Sequence, residues 1–310
     1  MITSVFKKST PLNYSLVVIL ILVFFFMFQI RETSWINSYF TIFQKLSLLC
    51  FILASFFMIN FIVKKNGLSK DNGYAIFFYL LFILFFPTIF NNPDVIYANF
   101  FILLALRRLI SLQSLKASKE KIFDASFWIF VASLFQFWCV LFLILVFISI
   151  VFHVSRDYRN WVLPFIALLA VALVFTMISL MFNNIDAVDF FQKRAVIDFR
   201  IDYFKNNYEN GALSIYVAVA LFFVISMITT LSNRPQIVHA SYKKVVACFF
   251  IAALVFIVSP DKSNDLLLFS IAPLTIMAAS HIEYVQQKLN NEIVFYVLIL
   301  CSLFTFFSQL

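Results

Sequence analysis

The chain has 310 residues, of which 63% are hydrophobic and only 12% charged. A soluble domain carries roughly 25% charged residues, and no soluble fold of this length hides so much apolar surface. The net charge of +8 needs no nucleic-acid partner, because the positive-inside bias of membrane proteins accounts for such an excess. These numbers point to an all-α polytopic transmembrane helical bundle of about 11 spans, forming one transmembrane domain over 1–310.

A span needs about 20 mostly apolar residues, since a helix rises ~1.5 Å per residue across a ~30 Å hydrocarbon layer. The first span, 12–30, follows Lys7 and Lys8 as a signal peptide would. It lacks a small-residue cleavage site and is long enough to cross, so it reads as a retained helix. Spans at 40–63, 74–90 and 95–110 come next. The stretch from Ser126 to Phe152 would run ~40 Å as one helix, too long without strong tilt. Gln136 and Trp138 at its midpoint suit a turn at the membrane surface, and a helical hairpin is expected. Further spans fall at 162–182, 212–231, 245–259, 266–281 and 294–309.

Between the spans, 183–211 is the one long segment on the outer side. Phe190, Ile197, Ile201, Phe204 and Tyr208 recur in it at helical spacing, which makes it an interfacial amphipathic segment. Alternation from Ile197 to Tyr203 leaves a short strand open as the other reading.

With the N-terminus in the cytoplasm, the inner segments collect Lys7, Lys8, Lys64, Lys65, Lys70, Arg107, Arg108, Lys116, Lys119, Lys121, Arg156, Arg159, Arg234, Lys243, Lys244 and Lys288. These are 16 of the 23 basic residues, the distribution expected of a bacterial inner (cytoplasmic) membrane protein.

Few residues carry chemistry. Gly67, Gly73 and Gly211 all lie in loops, so no span has the glycine-rich break around which transporter helices unwind. Lys45 is the only charge clearly inside a span, close enough to the outer face to snorkel. Cys50, Cys139, Cys248 and Cys301 sit in apolar runs without metal-ligand spacing, and His153, His239 and His281 stand singly at span ends. No phosphate loop, zinc motif or nucleophile elbow occurs, so no metal is expected and no motif assigns a cofactor.

What remains is charge at the outer surface. Arg31 and Glu32 open the first outer loop, Asp94 ends an Asn-Asn-Pro-Asp turn, and Lys262 stands between Asp261 and Asp265. A carboxylate there can serve as general base toward a hydroxyl acceptor, while a lysine or arginine holds a lipid-linked phosphate. The plainer reading is that each of these stops a helix at the water.

The run Asn92 to Leu106 (NPDVIYANFFILLAL), followed by Arg107 and Arg108, resembles the third-to-fourth helix region of the GT-C superfamily of membrane glycosyltransferases. Phe123 to Val151 is similar to the hairpin that follows it there. Pro260 to Ala279, with Lys262 and Pro273, resembles a late GT-C helix. The resemblance implies a GT-C-like bundle that transfers a sugar from a polyprenyl-phosphate carrier at the outer face. Carried over by position, Glu32 and Asp94 would be the catalytic acids, and Arg31, Lys45 and Lys262 the lipid-phosphate contacts. Over nearly its full length the chain also resembles a bacterial family of polytopic inner-membrane proteins with no assigned activity. That likeness supplies no chemistry, and the competing reading is a non-catalytic subunit of a cell-envelope export or assembly complex, partnered by other envelope membrane proteins. Membrane lipids are partners on either reading.

Overall fold

The structure is a computed structural model that describes residues 5–31, 35, 38–181, 194–199, 206–260, 262–285 and 288–310. Among these residues it is all-α: α1 (Pro11–Gln29), α2 (Tyr39–Lys65), α3 (Tyr74–Ile83), α4 (Pro93–Ser111), α5 (Ser118–Phe135), α6 (Leu143–His153), α7 (Arg159–Met181), α8 (Asn207–Thr230), α9 (Gln236–Val258), α10 (Leu268–Tyr284) and α11 (Lys288–Gln309). Eight helices are long and apolar enough to cross a membrane; α3 and the Phe137–His153 segment are apolar but shorter.

Each expected span falls on a helix, though the one expected at 74–90 is an α-helix only over Tyr74–Ile83 and the one expected at 245–259 starts already at Gln236, and the stretch from Ser126 to Phe152 folds back on itself. Helix α5 ends at Gln136, and a 3₁₀ turn over Phe137–Phe142 leads into α6. Lys119 at the start of α5 meets Asp157 just beyond α6 at 3.2 Å, so the chain departs from and returns to the same end of the bundle.

The centre is built from α3 and α10. Every residue of α3 is buried, and α10 packs against α3, α8 and α9. Phenylalanine fills the space around them: Phe82, Phe85 and Phe86 gather round the Tyr216 ring of α8 with centroids 5.0 to 6.4 Å away. Polar pairs add direction, since in lipid an unpaired polar group has no water to turn to. Tyr216 and Ser270 hydroxyls lie 2.6 Å apart, and Ser280 donates to the Tyr242 hydroxyl of α9 at 3.1 Å.

Two ends of the bundle follow from these contacts. At one, Gln29 at the tip of α1 donates to Asn91 at 3.0 Å. At the other, Lys244 of α9 donates to the Leu109 carbonyl and approaches His153 at 3.2 Å. Within the 183–211 segment, residues 182–193 and 200–205 lie outside the described residues. Residues 195–199 run as an irregular strip rather than a helix, and Asn207 to Gly211 are already the first turn of α8. The strip is pinned to the bundle where the Asp198 amide donates to Val258 and the Trp138 indole donates to Val196 at 3.1 Å.

Candidate functional site

At the Asn91 end the backbone explains much of the polar chemistry. Asn92 caps α4 by accepting from the Val95 amide, Pro93 fills the first helical position, and Asp94 sits in the first turn, where the helix dipole favours an anion. A 3₁₀ turn over Pro87–Asn91 and another over Asn264–Leu267 meet here. Asp265, 7% exposed, joins them by accepting from the Thr88 hydroxyl and from the Asn92 amide at 3.1 Å.

The exposed Asp94 opens onto a cleft of about 170 Å³, shared with Gln136, Trp138, Arg194 and Pro260. Arg194 is held there by donating to the Leu134 and Phe135 carbonyls at 2.7 and 3.2 Å, the free carbonyls at the C-terminus of α5. Gln136 donates to Ser259 at 2.9 Å, tying the hairpin turn to the end of α9.

Of the four described residues among the five singled out from the sequence, only Asp94 lines this cleft. Glu32 lies outside the described residues. Arg31 donates to the Gln309 carbonyl at 3.0 Å on another side of the bundle. Lys45 donates to Asn91, so a side chain expected to snorkel is held by the neighbouring turn. Lys262 donates to the Asp198 carbonyl and helps to fasten the 194–199 strip. Sequence reasoning passed over Arg194 and the buried Asp265; the second had a readable signal, an acid at the start of an apolar run.

The larger cleft lies at the Lys244 end. It measures about 550 Å³ and is lined by Lys65 of α2, Arg107 and Arg108 of α4, Lys116 of the following loop and Lys121 of α5, with no acidic residue among its described walls. Phe61 carries Lys65 at 5.0 Å and Arg107 at 4.5 Å from its ring centre, both cation–π contacts. Arg108 pairs with Asp124 at 2.8 Å. Lys121, ahead of the apolar stretch from Ser126, donates to Ser111 and Ser114 at 2.7 and 2.8 Å. Its pKa is lowered by burial and then by the charges of Arg108, Lys65 and Lys116.

The loop that carries Lys116 is strained. Leu115 and Ala117 on either side of it have φ of 54° and 49°. The left-handed region costs a residue with a Cβ roughly 1–2 kcal/mol, and no glycine relieves it here. Elsewhere at this end two carboxylates have cationic neighbours: Lys64 beside Asp71, at 2.7 Å, holds that carboxyl below its ordinary range. The Arg159 amide, seconded by Lys119, does the same for Asp157. Among the described residues no three His, Cys, Asp or Glu side chains gather to hold a metal ion.

The fold is thus that of an all-α protein with eight helices fit to cross a membrane, and its polar groups are concentrated at the two ends. The profile described as "Family of unknown function (DUF6427)" matches residues 5–310, and the chain belongs to that family. No curated protein and no solved structure matches it.

Proposed function

We propose that the chain is a bacterial inner-membrane protein that crosses the bilayer eleven times with its N-terminus in the cytoplasm, and that it transfers a sugar from a polyprenyl-phosphate carrier at the Asn91 end. The membrane reading is supported by the eight apolar helices among the described residues and by the 16 basic residues that fall in the segments assigned to the inner side. The α3 segment and the α5–α6 hairpin supply the remaining crossings, completed by the 3₁₀ turns that extend α3 and precede α6.

The observation that carries the catalytic reading is the cleft in which a carboxylate, a guanidinium, an amide and an indole meet: Asp94, Arg194, Gln136 and Trp138. In this reaction the acceptor oxygen bonds to the anomeric carbon as the bond from that carbon to the phosphate oxygen breaks. Asp94 takes the acceptor's proton, and the polyprenyl phosphate leaves as an anion beside Arg194. Glu32 is the second acid by position.

The second reading, a non-catalytic subunit of a cell-envelope export or assembly complex, is favoured by the size of the same cleft. At about 170 Å³ it is below the roughly 300 Å³ at which small-molecule pockets begin. Purification in mild detergent separates the two: a retained polyprenyl lipid supports the enzyme, a stoichiometric protein partner the subunit. On the enzyme reading, Asp94→Asn abolishes transfer of labelled sugar in membrane vesicles while the quantity of folded protein stays the same, because the residue is exposed. Undiminished transfer by that variant would rule out Asp94 as the base.

A further inference from the structure

We propose that the basic cleft at the Lys244 end binds the headgroup of a membrane lipid that carries two phosphates. The positive-inside bias accounts for the number of cations at this end but not for their arrangement. Four separate elements, α2, α4, the loop after it and α5, turn five cationic side chains into one cleft that has no acid in its walls among the described residues. Among the described residues Arg108 is the one of the five with a carboxylate partner, Asp124, so the other four charges lack a counter-ion there. A single phosphodiester brings one negative charge; two phosphates bring two or more and match the site far better.

Three features point to a lipid as the source of those phosphates. Ile237 in the cleft wall is 75% exposed, Leu115, between the lining residues Ser114 and Lys116, is 59% exposed, and Phe61 carries the lining cations Lys65 and Arg107. An acyl chain laid along such a rim leaves the headgroup among the cations. Lys116, moreover, is presented by two residues held in the left-handed region, a strained conformation of the kind that collects at binding sites. The opening also lies between helices at the basic end, where anionic headgroups meet membrane proteins. This inference rests on the membrane reading above and on none of the sugar-transfer chemistry.

Native mass spectrometry of the full-length protein in detergent tests it, with tetraoleoyl cardiolipin as the two-phosphate probe. Dioleoyl phosphatidylglycerol supplies one phosphate, and inorganic pyrophosphate supplies two without a lipid. Cardiolipin is expected to bind about ten-fold more tightly than phosphatidylglycerol, given about 1 kcal/mol for each engaged Lys or Arg. The combined variant Lys65→Gln, Arg107→Gln, Lys116→Gln should bring the two lipids to within about two-fold. Lys7→Gln, Lys8→Gln, Lys70→Gln removes as much charge from the same end away from the cleft, and should leave the preference intact. Should the combined variant fail to fold, Lys116→Gln alone, on an exposed loop, is expected to lose about five-fold in cardiolipin binding. Equal binding of the two lipids, or equal loss in both triple variants, would reduce the cleft to general surface charge and overturn the proposal. Pyrophosphate binding as tightly as cardiolipin would overturn it too, by making the site one for a soluble anion.

Discussion

Helices α10 and α7 are both apolar, yet they occupy opposite places in the bundle. The α10 span, from Asn264 to Tyr284, is 94% buried with a mean hydropathy of 1.6; α7 is 22% buried with a mean hydropathy of 2.6. The less hydrophobic helix is the inner one. In water the order would be reversed, but lipid tails are as apolar as leucine, so removing leucine from lipid yields little. What moves a helix to the centre is close packing and paired polar groups. Helix α10 has Ala272, Ala278 and Ala279 for close approach, and Ser270 and Ser280 bonded to tyrosines on its neighbours. Helix α7 turns Phe165, Leu169, Leu173 and Met177 outward, each at least 60% exposed.

The sharpest way to break this comparison is one substitution in each helix. Ala278→Phe forces a large ring into a site with 0% exposure and should lower the unfolding free energy by about 3 kcal/mol. Leu169→Ala should change it by no more than about 0.5 kcal/mol. Thermal unfolding of the purified protein in detergent reads both. A large loss at Leu169 would mean that α7 packs against protein in the solution state.

A smaller effect belongs to Asp265, where the α10 span begins. Asp265→Ala leaves the Thr88 hydroxyl and the Asn92 amide without their acceptor and should cost about 2 kcal/mol, with Asp265→Asn recovering part of it. Equal stability of the two variants would show that the carboxylate does not fasten the turns.

The smallest effect is at the water. Because Asp71 has its pKa lowered beside Lys64, its stabilising contribution is complete above the ordinary value of 3.8 and is lost as pH falls through the lower, folded-state value. Carboxyl NMR shifts should show it titrating below 3.8, and Lys64→Gln should return it to the ordinary value. Unchanged titration in that variant would dissociate the shift from the lysine.

The positions of the apolar runs were legible because span length is a local property, and the fold-back at Gln136 was legible because a single helix would have been too long. Which helix goes to the centre was not legible, since hydropathy ranks α7 above α10 and the deciding contacts come from helices distant in sequence. At the Asn91 end Asp94 could be found from its turn. Arg31, Lys45 and Lys262 were assigned to phosphate by charge alone, and their actual partners, Gln309, Asn91 and Asp198, are tertiary. The basic cleft escaped for a related reason. Lys65, Arg107, Lys116 and Lys121 each satisfy the positive-inside rule singly, and only the packing of four elements shows that they share one space.

The wholly buried α3 also bears on biogenesis. A ten-residue helix extends about 15 Å, half the hydrocarbon thickness, and its neighbours include α10 and α11, both synthesised well after it. During translation α3 therefore enters the membrane long before the walls of its chamber exist. The early helices α1 and α2 pack against it and can shelter it until α10 and α11 are made. A chain stopped before Asn264 would hold an unclosed bundle, and quality-control proteases that survey the bilayer would meet α3 as its exposed flank.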